Sequence, residues 1–118
     1  MRAITEFQGI FVHRDPVDMR KSINGLSEIV EQEGMGDLMK PHLFVFCGKR
    51  RDVMKILYFD RSGFALWYKR LEQEKFPWPK KHHAGVLMLS PSQMQWLLDG
   101  YNIWHIKPFE KLHFSRLS

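Results

Sequence analysis

Eight basic side chains carry the clearest chemical potential in this sequence. Lys49, Arg50 and Arg51 are consecutive, Lys69 and Arg70 are adjacent, Lys55 lies between the two groups, and Arg20 and Lys21 form an earlier pair. Ammonium and guanidinium groups donate hydrogen bonds to phosphate oxygens and displace condensed counterions, and that combination drives binding to nucleic acid. A cluster on a turn together with a pair on a strand has the layout to track a phosphate backbone. The bland alternative is a solvated rim on a small sheet. Charge distribution favours the first reading. Between Lys49 and Lys81 there are ten Lys and Arg against four Asp and Glu, a net of +6. The rest of the chain has eight basic and nine acidic residues, a net of −1, so the whole excess of +5 sits in the middle third. A local field of that kind favours polyanions.

Other chemistries find less support. A metal nuclease needs clustered carboxylates, whereas Asp52, Asp60, Glu72 and Glu74 are scattered over turns and flanks. The six His have no paired Cys and no metal-ligand spacing. His82 and His83 are neighbours, so a strand would turn them to opposite faces. There is no phosphate-cradling glycine loop and no nucleophile elbow. No metal, cofactor or catalytic residue is therefore expected, and a nuclease working through Asp60 or Glu72 is the weakest of the readings. Trp67, Tyr68 and Trp78 have the ring faces to stack on unpaired bases, although aromatics at period two usually belong to a core. Asp18 reads as a charge favoured at a helix start rather than as a catalyst. Cys47, the one cysteine, reads as a small buried hydrophobe.

These side chains need a frame. Leu43 to Leu71 reads as three consecutive strands joined by two tight turns. Leu43 to Cys47 is apolar on both alternating faces, which marks a central strand. Lys49 to Arg51 fall on the first turn. Val53, Lys55, Leu57 and Phe59 then share one face of the second strand, with Met54, Ile56 and Tyr58 on the other. Asp60 to Gly63 links to a third strand, in which Phe64, Leu66, Tyr68 and Arg70 alternate with Ala65, Trp67, Lys69 and Leu71.

Ahead of the sheet, Gly9 to His13 is a short β-type run able to pair with an edge of the sheet. Asp15 and Pro16 suit the cap and first position of a helix. Met19, Ile23, Leu26 and Val30 then form one apolar stripe, and Gly34 and Gly36 stop it, so a helix is expected over about 16 to 33. Gly25 inside it costs about 1 kcal/mol relative to Ala, and a close approach of helix to sheet would explain it. After the sheet, Phe76-Pro77-Trp78-Pro79 excludes helix and central strand and reads as an extended crossing with Trp78 packed down. Lys80 to His83 reads as an exposed basic loop, and Gly85 to Leu89 as a fourth strand. Ser90-Pro91-Ser92-Gln93 is a capping box, Met94, Leu97 and Leu98 face the core, and Gly100 ends the helix.

With 118 residues and 44% hydrophobic content, one domain spanning 1–118 is expected, with 105–118 as a loosely attached tail. No signal-like segment and no apolar run near the ~20 residues of a membrane span is present, which points to a cytoplasmic protein without a membrane partner. The expected fold class is α+β: an antiparallel β-meander of three to four strands, with the Pro16 helix on one face and the Ser90 helix at the edge.

Four signatures then recur in order. They are Pro16-Val17-Asp18-Met19-Arg20-Lys21 with Gly25-Leu26; Leu43 to Phe46 with Gly48-Lys49-Arg50; Asp60 to Gly63 leading to Tyr68-Lys69-Arg70-Leu71-Glu72; and Phe76 to Pro79 before Leu89-Ser90-Pro91. Together, over about residues 8 to 104, they resemble the TnpB-type accessory proteins of bacterial insertion sequences of the sixty-six family, which are distinct from the RNA-guided nuclease of the same label. The resemblance implies a role in DNA transposition beside a separate transposase, with no catalysis of its own. The expected partners are therefore DNA at the transposon ends and the transposase of the same element. The stretch after Trp104 is longer and more aromatic than the family pattern. The apolar and aromatic tail from Ile103 to Phe114 motivates a second reading: a module that docks on the transposase with little direct DNA contact.

Overall fold

A computed structural model of the protein describes residues 3–79 and 86–104. Among these residues five strands form one sheet: β1 (Gly9–His13), β2 (His42–Cys47), β3 (Val53–Asp60), β4 (Gly63–Arg70) and β5 (Val86–Met88), in the order β4-β3-β2-β1-β5. Two α-helices accompany it, α1 (Ile23–Gln32) and α2 (Pro91–Leu98), and a 3-10 turn spans Ile4–Glu6.

The centre of the sheet follows the alternation in the sequence. Leu43, Val45 and Cys47 of β2 point to one face and Phe44 and Phe46 to the other, and all five are fully buried. β2, β3 and β4 are antiparallel neighbours, with Val45 opposite Ile56 and Ile56 opposite Trp67. Arg61 and Ser62 make the β3–β4 link, closed by the Asp60–Gly63 pair.

β1 departs from the expected meander. It lies beside β2 in parallel, Ile10 against Leu43 and Val12 against Val45, and β5 pairs antiparallel with its other side. The sheet is therefore five-stranded and mixed, within the α+β class. Connection length explains the difference. Residues 14 to 41, a run of 28, separate β1 from β2 and enclose α1, which is ample for the crossover that parallel strands require.

Both faces of the inner strands are apolar, so both need a cover. α1 covers one face, where Leu26, Val30 and Met35 meet Phe44, Phe46 and Leu57. α2 covers the opposite face, where Met94, Leu97 and Leu98 join Ile10, Val45, Met54 and Ile56. The Ser90 helix thus lies over a face rather than at the edge. Its start matches the sequence: the Ser90 hydroxyl accepts from the Gln93 N–H at 3.1 Å, and the Gln93 amide oxygen accepts from the Ser90 N–H at 2.9 Å. Phe76 is buried in the same layer and Trp78 packs against it. Truncating Leu26 to Ala would remove about 2–5 kcal/mol of packing.

α1 begins later than the Pro16 start expected. The Val17 N–H donates to the Cys47 carbonyl at 3.0 Å, which holds the chain against the end of β2. Asp18 then accepts from the Arg20 backbone N–H at 2.9 Å and makes a turn there. Helical geometry starts only after Ser22, whose side chain makes no capping bond. Met19 lies outside the helix yet packs into the same apolar cluster as Ile23, Leu26 and Val30. Gly25 does not serve a helix–sheet approach. A side chain there would first meet Lys21 carbons at 3.2 Å. The basic loop expected at Lys80 to His83 and the tail from residue 105 lie outside the described residues.

Candidate nucleic-acid interface

Three separated segments converge on a cleft of about 450 Å³: Val17 to Met19, the β2–β3 turn at Gly48 to Asp52, and Tyr68 with Arg70 on β4. The turn is closed by a Gly48 N–H to Val53 carbonyl bond at 3.2 Å and an Arg51 N–H to Gly48 carbonyl bond at 3.0 Å, with Arg51 in the left-handed region at φ 64°. Gly48 is the seam between two segments. A Cβ added there would sit 2.6 Å from the Met19 Cγ, closer than packing allows, so a glycine permits the approach.

Lys55 fastens the first segment to the sheet. It is only 8% exposed. Its ammonium donates to the Met19 carbonyl at 2.7 Å and the Lys21 carbonyl at 2.8 Å, and lies 5.9 Å from the centre of the Tyr68 ring. A buried ammonium is tolerable when oxygens and a ring face replace its water. The structure thus commits Lys55 to holding the segment that presents Arg20 and Lys21.

The remaining cations divide by position. Lys49, Arg50, Arg20, Lys21 and Arg70 are exposed. Lys49, Arg50 and Arg70 line the cleft. The Lys75 ammonium donates to the Arg50 carbonyl at 2.8 Å and fixes the turn's backbone. Arg51 leaves this group: its guanidinium lies 5.6 Å from the centre of the Trp78 ring. Lys69 points to the α2 side, where its ammonium donates to the Leu98 carbonyl at 3.0 Å. The sequence pairs Lys69 with Arg70, and the pleat separates them.

Two cations are held by carboxylates. The Arg20 guanidinium grips both oxygens of Asp18, at 3.0 Å and 2.7 Å. This hydrogen bonding lowers the Asp18 pKa to about 2 and raises that of Arg20. Glu72 accepts from Arg70 at 3.1 Å and likewise raises its pKa. Both arginines keep other N–H groups toward solvent. Burial pushes the Cys47 thiol up to about 11, partly offset by Arg51, so it carries no nucleophile's character. Among the described residues no group of three or more His, Cys, Asp and Glu could hold a metal ion.

Of the three aromatics with stacking potential, Tyr68 stands at the cleft with 52% exposure. Trp67 and Trp78 pack against the α2-side core. Sequence reasoning missed Met19 and Gly48 as parts of the site and the internal role of Lys55. The signal for Lys55 was its place in an otherwise apolar alternation, Val53, Leu57 and Phe59.

The frame is a mixed sheet with one helix on each face and a cleft lined by Lys49, Arg50 and Arg70 together with Asp18 and Asp52, in a small α+β protein. The chain belongs to the IS66 Orf2-like family, whose model matches residues 8–108. Membership implies an accessory role associated with transposition. Two relatives come from Sinorhizobium fredii (strain NBRC 101917 / NGR234). Uncharacterized protein y4jC is 36% identical over 83% of this chain and 83% of its own length. Uncharacterized protein y4hO is 29% identical over 81% of this chain and 83% of its own. No solved structure matches the chain significantly.

Proposed function

We propose that this chain is a non-catalytic accessory protein of DNA transposition that holds the DNA backbone with Lys49, Arg50 and Arg70, flanked by Arg20 and Lys21. One observation carries the reading: cations from separate segments meet around one cleft, and the chain spends a buried lysine, Lys55, on fixing the segment beside it. Phosphate contacts of this kind position a protein without reading bases. Tyr68 adds a ring face for an unpaired base next to the cations. Arg51, Lys55 and Lys69 support the surface from within. DNA at the transposon ends and the transposase of the same element are the partners this role calls for.

The test is binding of the purified protein to a labelled transposon-end duplex, a scrambled duplex and single strands across a salt series. The expected result is tight binding with a steep salt slope, lost in a folded Lys49→Ala/Arg50→Ala/Arg70→Ala protein. Undiminished binding by that variant would remove the site, and no binding at low salt would remove DNA contact altogether.

A further inference from the structure

A second groove, of about 690 Å³, lies between α1, the segment after it and the start of β4. Ile23, Leu38 and Phe64 give it an apolar lining, and all three pack against the α1-side core. Glu28, Glu31 and Asp37 stand around it, and no Lys or Arg is among the described residues that line it. None of these three carboxylates is in an ion pair with another described residue. At its rim Met39 is 62% exposed, an unusual position for a large apolar side chain. Its backbone is held there by an N–H bond to the Asp37 carboxylate at 2.9 Å.

The sign of the field is local. Residues 22 to 39 contain four acidic residues and no basic one. One of the four, Glu33, is taken by His13 at 2.7 Å. The groove and the cation-rimmed cleft sit at opposite ends of β4 on one face of the sheet. Phe64 and Arg70 are six residues apart on that face, about 20 Å along a strand. Carboxylates without basic neighbours gather at one end, and Lys49, Arg50 and Arg70 gather at the other.

We infer that this groove docks a short segment of a partner protein in which Lys or Arg residues flank one or two apolar anchors. The apolar lining takes the anchors, and Glu28, Glu31 and Asp37 take the flanking charges. Charge complementarity selects that chemistry: an acidic segment and nucleic acid are both repelled. The inference stands independently of the DNA reading. With both grooves used, the protein becomes an adaptor that holds a basic protein segment and a DNA backbone at once.

The test uses the full chain and two labelled peptides of equal length, one of Lys and Leu at helical spacing, the other with Glu in place of Lys. Fluorescence anisotropy should show binding of the Lys/Leu peptide only. Glu28→Gln/Glu31→Gln/Asp37→Asn removes surface charge and should weaken binding about tenfold, the sum of three modest exposed pairs. Asn24→Trp fills the groove from an exposed position without changing charge, and should weaken it comparably. Lys49→Ala/Arg50→Ala/Arg70→Ala should leave it unchanged. Absence of peptide binding overturns the inference. So does binding that survives Asn24→Trp, because attraction is then to bulk charge rather than to the groove. A dimer of this chain that the groove variants dissociate also overturns it, by giving the groove to a second copy.

Discussion

The Lys55 ammonium lies 2.7 Å from the carbonyl oxygen of Met19, a residue 36 positions earlier in the chain. This bond and its companion to Lys21 join the start of β3 to the turn that precedes α1. The arrangement is reciprocal. The carbonyls make burial of the charge tolerable, and the charge gives order to a segment that regular helix geometry does not reach.

Replacing Lys55 with Met keeps the length of the side chain and removes both bonds. Bonds to charged groups contribute about 1.5–3 kcal/mol each, partly offset by the ammonium's desolvation, so Lys55→Met should destabilise the fold by about 2–4 kcal/mol. Thermal or urea unfolding measures this. DNA affinity should fall as well, because Arg20 and Lys21 lose their placement. A variant as stable as the parent would show that the bonds merely accompany burial.

Gly48 and Met19 offer a second check on the same seam. Gly48→Ala should cost about 1–3 kcal/mol, the usual range for overpacking, because the new Cβ meets the Met19 Cγ at 2.6 Å. In a Met19→Ala background that clash is gone, and the glycine substitution should become nearly neutral. A double-mutant cycle reads the coupling directly. Equal costs in both backgrounds would place the requirement for glycine in the backbone instead.

The elements that the sequence revealed best are those whose residues answer to local rules. β2, β3 and β4 are runs of apolar and β-forming residues bounded by turn signals, and α2 follows its capping box and terminal Gly100, which adopts φ 95°. What escaped depends on distant partners. Asp15 and Pro16 look like a helix start, but the Cys47 carbonyl captures the Val17 N–H and the Asp18 turn delays the helix. Nothing local in Gly9 to His13 tells parallel from antiparallel pairing. At the site, Lys49 and Arg50 stay together, and Lys69 turns to α2 as the alternation of its strand requires, whereas nothing local shows that Arg51 turns to Trp78 in a left-handed conformation. A run of like charges records composition, and the direction of each side chain belongs to the fold.

Acid should loosen the Asp18 turn late. Its carboxyl titrates at about 2, below the ordinary 3.8, because the Arg20 side chain and backbone N–H donate to it. A depressed carboxyl pKa stabilises the fold above the unfolded value and loses that contribution as pH falls. The window here therefore runs from about 4 down to 2, and the turn is intact at neutral pH. Carbon NMR of the Asp18 carboxyl should give a midpoint near 2, which Arg20→Ala moves back toward 3.8. A midpoint near 3.8 in both proteins would detach Arg20 from this turn in solution.

Lys69 and Arg70 separate stability from binding. Lys69 donates to the Leu98 carbonyl at the last residue of α2, where a cation also suits the helix dipole. Lys69→Ala should cost about 1 kcal/mol of stability and leave the salt dependence of DNA binding alone. Arg70 is exposed at the cleft and paired with Glu72 on its own strand's flank. Arg70→Ala should leave the melting temperature nearly unchanged and lower the logarithmic salt slope by about 0.9, one phosphate contact. The two substitutions differ by one position and remove the same formal charge, so net charge alone predicts identical slopes. A shared drop in slope would mean that DNA responds to the overall basic field. A drop confined to Arg70 would mean that it responds to the face of β4 that carries the cleft.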